Sequence, residues 1–114
     1  MDKILELYQK EYEMGGEHVG MAAYKIAKFY TEKGNHKEAF EWYKRSADEG
    51  YDGGMYRVGK MYQFGKGVEK DVPKAMEWYR KAYEMHGDAA GDAANKIGIL
   101  YREEIKDDAK ALEW

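Results

Sequence analysis

The chain has 114 residues, no cysteine, one proline and a net charge of −3 from 22 acidic and 19 basic residues. Such a length sets one domain, the missing thiols exclude disulfides and thiolate metal sites, and the near-balanced charge offers no pull toward nucleic acid or an anionic membrane. No apolar run reaches the roughly 18 residues of a transmembrane helix, and the start Met1-Asp2-Lys3-Ile4-Leu5-Glu6 lacks a signal-peptide apolar stretch, so a cytoplasmic location is expected.

Residues 2–16 read as a leading helix. Ile4, Tyr8 and Tyr12 fall at i, i+4 and i+8, which places them on one helical stripe. A second helix type begins repeat one, residues 20–50, around Ile26-Ala27-Lys28-Phe29-Tyr30. Gly34 is a C-cap candidate, and Asn35 with Glu38 reads as an N-cap with its capping-box partner. Ala39, Tyr43 and Ala47 then repeat the stripe of the leading helix. Repeat two, residues 53–87, carries Val58-Gly59-Lys60-Met61-Tyr62 in its first helix and Ala75, Tyr79 and Tyr83 in its second. Asp71 caps that second helix, with Pro73 in the first turn, where a missing N–H does little harm. Gly50 and Gly87 are expected to end helices. Repeat three, residues 91–114, has Ile97-Gly98-Ile99-Leu100-Tyr101 and a final segment from Lys110 cut short at Trp114. Seven helical segments result.

Trp42, Trp78 and Trp114 stand 36 residues apart, in the phrases Ala39-Phe-Glu-Trp-Tyr-Lys-Arg, Ala75-Met-Glu-Trp-Tyr-Arg-Lys and Ala111-Leu-Glu-Trp. A fixed period of this length marks a stacked repeat protein, which buries its core between neighbours and leaves a long exposed surface. Trp42 and Trp78 are therefore expected to pack against adjacent repeats. Ala27, Gly59 and Gly98 share one position. Glycine in mid-helix costs about 1 kcal/mol against alanine, so a closely approaching helix is expected there. Glu6–Lys10, Glu41–Arg45 and Glu77–Lys81 have the spacing of i, i+4 ion pairs, each contributing roughly 0.2–0.5 kcal/mol.

Residues 58–82 resemble a Sel-one-like repeat, a relative of the tetratricopeptide repeat. The loop Phe64-Gly-Lys-Gly-Val-Glu-Lys-Asp71 is the most specific part, and it lengthens the turn between the two helices. Repeat one has the shorter tetratricopeptide-like spacing from Tyr30 to Ala39, and the interval from Tyr101 to Ala111 is one residue longer. The resemblance implies an all-α fold, a short right-handed solenoid of helical hairpins. It also implies a protein–protein interaction scaffold with no catalysis and no cofactor.

In this repeat class the first helix of each pair lines a concave face. The positions so assigned are Tyr24, Lys28 and Thr31 in repeat one, Tyr56, Lys60 and Gln63 in repeat two, and Asn95, Ile99 and Arg102 in repeat three. Tyrosines followed by Lys28, Lys60 and Arg102 suit an extended, acidic peptide. A second surface lies at the chain ends, where Leu5, Tyr8, Leu112 and Trp114 lack a neighbouring repeat and are expected to promote self-association. The alternative function is a designed or excised repeat module that folds and self-associates with no natural ligand. Other chemistry has little support. His18, His36 and His86 lie far apart in or beside linkers, and no His/Glu metal constellation is present. Gly65-Lys66-Gly67 lacks the spacing of a phosphate loop: Gly59 stands one residue too far, and Gly67 takes the place of the hydroxyl.

Overall fold

The computed structural model describes residues 3–103, which form six α-helices and, among themselves, no strand. They are α1 (Lys3–Met14), α2 (Val19–Glu32), α3 (His36–Asp48), α4 (Asp52–Phe64), α5 (Val72–Glu84) and α6 (Ala90–Glu103). The seventh segment, from Lys110, lies outside the described residues. Each helix packs on the next, and α2 also touches α4, so the array extends in one direction, 48 × 27 × 16 Å overall. This is the all-α solenoid that the period implied.

The caps explain where helices begin and end. Asn35 accepts from the Glu38 N–H at 3.3 Å, and Asp71 accepts from the Lys74 N–H at 3.0 Å, each satisfying one free donor of a first turn. Gly34 and Gly50 take the left-handed conformation after α2 and α3. Gly87 does not perform that role for α5. His86 adopts the positive φ, +55°, and Gly87 instead lies against the Asp52 carboxylate, where a side chain would collide. Asp52 accepts from the Ala89 N–H at 3.0 Å and so ties α4 to the start of the following repeat.

The core forms where the aligned positions meet. Ala27, Ala39, Tyr43, Ala47 and Val58 make one buried cluster, with Trp42 and Trp78 packed against it. Ala75, Tyr79, Ala82, Ala93, Ile97 and Leu100 make the next. Trp42 meets Tyr12 of α1 edge-on at 5.0 Å, so the tryptophans do bridge repeats. A Cβ on Gly59 would stand 2.7 Å from the Tyr79 ring, which is the expected close approach of α4 and α5; Gly98 is buried. Tyr79 is fully buried and donates from its hydroxyl to Gln63 Oε1 at 2.6 Å.

The expected i, i+4 ion pairs do not close to 4 Å. Arg45 stacks over Trp42 at 4.4 Å and Lys81 over Trp78 at 4.3 Å, because the tryptophan, three residues before the cation, offers an aromatic face to the same side chain. A third contact was invisible to periodicity. Ser46 of α3 is fully buried and donates to the Gly20 carbonyl at 2.7 Å. A Cβ on Gly54 would meet the Ser46 Cβ at 2.7 Å, so the starts of α2 and α4 both close onto the end of α3 through glycine.

Candidate peptide groove

The exposed side of α2, α4 and α6 is where the site residues were expected, and the structure sorts them into three places. The central one is an open cavity of about 400 Å³ lined by α2, α3, α4 and the loop after α4. Tyr43 and Met61 provide its apolar wall, Phe64 stands at its mouth, and Arg57, Lys60 and Lys66 surround it. Thr31 also lines it, its hydroxyl donating to the Ala27 carbonyl at 3.0 Å.

Two glycines place Lys66 there. Gly65 ends α4 in the left-handed conformation, and Gly67, with φ +74°, lies directly on the His36 backbone at the start of α3. No other residue combines that backbone conformation with that approach. The long loop thus folds back on the preceding repeat and carries Lys66 to the cavity rim.

Among the described residues no carboxylate lines this cavity, and Asp92, beyond it, favours the Lys60 charge without closing an ion pair. Among the described residues the ion pairs are Lys25–Glu11 at 3.8 Å and Lys44–Asp48 at 3.4 Å, and neither involves Arg57, Lys60 or Lys66. Burial, then the neighbouring Arg57 and Lys96, pull the Lys60 ammonium below the ordinary lysine range. Burial works against the Arg57 charge as well. Its hydrogen bond to the Tyr24 hydroxyl, at 3.3 Å, and the surrounding tyrosine oxygens outweigh that, so its pKa is raised. Burial raises the Tyr43 hydroxyl, which stays neutral on the cavity wall.

A second cavity, about 320 Å³, lies between α1 and α2. It uses the same repeat positions: Tyr8 stands where Tyr43 does, Lys25 where Arg57 does, and Lys28 where Lys60 does. Ile4, Phe29 and Lys33 complete its lining, and its charges are arranged differently. Glu32 takes the place of Phe64, and Lys25 is paired with Glu11. The third place is the edge near the starts of α4 and α6, where Tyr24 and Tyr56 share a recess with Asp52, Asp88, Asp92 and Arg57, which lines the central cavity as well. Tyr24 meets Tyr43 and Tyr51 edge-on, and Tyr56 is tilted against Tyr79.

Of the expected concave residues, Thr31 and Lys60 therefore share one cavity, Lys28 faces its counterpart, and Tyr24 and Tyr56 line the acidic edge. Asn95 and Arg102 are exposed on α6, and Ile99 is half-buried. Gln63 is a correction. It is only 7% exposed and is held inside by the Tyr79 hydroxyl, so it supports the core rather than the groove. Leu5 is a correction of the same kind: it is 7% exposed, while its neighbours Ile4, at 56%, and Leu7, at 60%, are exposed apolar residues of α1, Ile4 at the rim of the second cavity. Tyr8 is half-buried beneath the Lys25 ammonium. Leu112 and Trp114 lie outside the described residues. Arg57 was missed, although a signal existed. Lys25, Arg57 and Lys96 each precede the branched residue of their helix, a basic position repeated three times. Lys96 reaches toward the central cavity and lies over the Phe64 ring at 5.7 Å.

Helical hairpins stacked in series, one of them with its Gly65-Lys66-Gly67 turn seated on the previous hairpin, define an α-solenoid of short repeats. The profile of the Sel1 repeat matches residues 20–51, 53–86 and 91–114, and the chain belongs to that family. The fold is similar to the uropathogenic Escherichia coli protective antigen c5321, with a TM-score of 0.82 and 27% identity over 96% of this chain and 24% of that one. It is also similar to a Sel1 repeat protein from Oxalobacter formigenes, with a TM-score of 0.73 and 29% identity over 96% of this chain and 52% of that one. Among curated proteins, the chitin synthase regulator SKT5 of Saccharomyces cerevisiae is 38% identical over 40% of this chain and 6% of its own length. HRD3A of Arabidopsis thaliana, a component of an ERAD-associated E3 ubiquitin-protein ligase, is 34% identical over 69% of this chain and 11% of its own length. The chain thus spans only a small part of the curated relatives it matches. Among the described residues no group of three or more His, Asp or Glu side chains is placed to hold a metal ion, and no helix is long and apolar enough to cross a membrane.

Proposed function

We propose that this chain is a protein-interaction scaffold that holds an extended acidic segment along the exposed face of α2, α4 and α6. The observation that carries this reading is the unpaired basic group of Arg57, Lys60 and Lys66 around an open cavity, reinforced by Lys96 from the next repeat. Cations held close together without counter-charge repel one another, and a bound carboxylate relieves that repulsion. The relatives lend support of a general kind: one is a regulator of another enzyme and one is a component of a ligase, roles exercised through other proteins. Lys28, Asn95, Ile99 and Arg102 extend the same face to either side, and Tyr24 and Tyr56 border it.

Titration with an acidic and a basic peptide library at low and high salt tests the proposal. Acidic peptides should bind selectively, weaken as salt screens exposed charges, and lose affinity when Lys28 and Lys60 are both reversed to Glu. Equal binding of the two libraries, or tight binding without a salt response, rejects it.

A second reading rests on the exposed Ile4 and Leu7 of α1, an apolar end face suited to stacking against another repeat or another copy of the chain. Light scattering over a concentration series tests it. Association abolished by Leu7→Lys supports the reading, and a monomer at all concentrations removes it.

A further inference from the structure

We infer that the cavity between α2, α3 and α4 is an anchor pocket that recognises an apolar side chain with a carboxylate beside it on the same extended segment. The inference deepens the acidic-segment reading above and rests on it. Its volume, about 400 Å³, lies near the lower end of the roughly 300–1,000 Å³ typical of small-ligand sites, which suits one large side chain and its neighbour rather than a whole folded element.

The two halves of the recognition come from different residues. Tyr43 and Met61 form an apolar wall inside the repeat stack, and Phe64, 55% exposed, extends it into solvent. An exposed phenylalanine beside a cavity has apolar area left to bury, and an apolar ligand side chain would cover it. Arg57, Lys60 and Lys66 encircle that wall without a carboxylate partner among the described residues. A purely apolar side chain would leave those charges unmet, and a purely acidic one would leave the wall wet. A segment carrying both satisfies both.

The surroundings also limit register. Asp52, at the start of α4, lies eight residues before Lys60, about 12 Å along a helix rising 1.5 Å per residue. With Asp88 and Asp92 it lines a recess on the far side of Arg57, three carboxylates against that single guanidinium. A second carboxylate three or four extended residues from the first would meet repulsion there. The cavity between α1 and α2 has apolar side chains as well, Ile4, Tyr8 and Phe29, but there Glu32 replaces Phe64 in the lining and Glu11 already pairs with Lys25.

The test uses synthetic peptides in fluorescence anisotropy with the full chain: one containing an adjacent Glu-Leu pair in a Gly/Ser context, one with Leu replaced by Ser, and one with Glu replaced by Gln. Circular dichroism confirms that each protein variant is folded. The Glu-Leu peptide should bind about tenfold or more tightly than either control, the gain expected from burying one leucine or meeting one charge cluster. Phe64→Ser should weaken the Glu-Leu peptide and leave the Glu-Ser peptide unchanged. Lys60→Gln should weaken both Glu-containing peptides and leave the Gln-Leu peptide unchanged. Equal binding of the Glu-Leu and Glu-Ser peptides overturns the anchor pocket while leaving the acidic-segment reading intact. Loss of Glu-Leu binding through Lys28→Glu but not Lys60→Gln moves the site to the other cavity and also overturns it. Indifference of all three peptides to charge overturns both readings together.

Discussion

The cavity beside α4 and its counterpart beside α2 are made from the same repeat positions, and both join apolar side chains to cations, yet only the counterpart carries a carboxylate, Glu32, in its lining. Tyr43 and Tyr8, Arg57 and Lys25, Lys60 and Lys28 correspond pair by pair. What differs is a substitution, a partner and a loop. Phe64 in one place is Glu32 in the other, and Lys25 is paired with Glu11 whereas Arg57 donates to the Tyr24 hydroxyl. After α2 the chain turns in residues 33–35, and after α4 it uses residues 65–71, long enough to lay Gly67 on the preceding hairpin and bring Lys66 alongside. A repeat array can thus keep one scaffold and vary its ligand surface through single positions and loop length.

That comparison assumes a scaffold shared by both hairpins, and the largest expected effect tests the assumption. Gly59→Leu should cost on the order of 1–3 kcal/mol in urea unfolding, because its side chain would enter the Tyr79 ring. An unchanged midpoint would mean that α4 and α5 do not pack as described.

Tyr79→Phe should cost about 1–2 kcal/mol by leaving the Gln63 carbonyl oxygen without its buried donor. Tyrosine burial also sets an alkaline limit. The folded-state values of Tyr43 and Tyr79 are raised by burial, so their contribution is full below about pH 10, the unfolded tyrosine value, and declines above it. The melting temperature should therefore fall above pH 10, and less steeply in Tyr79→Phe. A flat profile would show that the hydroxyls reach water in the folded state.

The loops differ more subtly. Gly34→Ala meets only the strain of a positive φ, since nothing lies near its Cβ position, whereas Gly67→Ala adds a collision with the His36 backbone. Both should destabilise, by about 1 kcal/mol for Gly34 and by more for Gly67. Equal losses would mean that the long loop is not seated on α3. The smallest effect belongs to Glu41→Gln, expected within about 0.5 kcal/mol, because Arg45 rests on Trp42 instead of reaching Glu41. A larger loss would restore the helix ion pair as the dominant contact.

Much of the scaffold was legible because a stacked repeat writes its packing into its period. Trp42 and Trp78, the Tyr8/Tyr43/Tyr79 position and the small residues at Ala27 and Gly59 all report contacts that recur each turn of the array. Asn35 and Asp71 were readable because a cap depends only on residues three apart. The site was less legible. Arg57 and Lys96 stood at a repeated basic position, but the side on which that position faces depends on how neighbouring helices are rotated, which no single repeat encodes. Gln63 looked like a groove residue by spacing and is buried because Tyr79 of the next helix reaches it.

By itself, then, the order of residues determined the six described helices, the caps at Asn35 and Asp71 and the pairing of repeats, since these arise from interactions local in sequence or repeated at a constant interval, whereas the end of α5 falls to His86 and not to Gly87. Tertiary structure alone decided which cations stand together without partners, which glycine receives the neighbouring backbone, and how Ser46 joins the starts of α2 and α4. Those outcomes depend on distances between residues from different repeats. They were set only when burial brought the hairpins into contact and left some polar groups matched and others open.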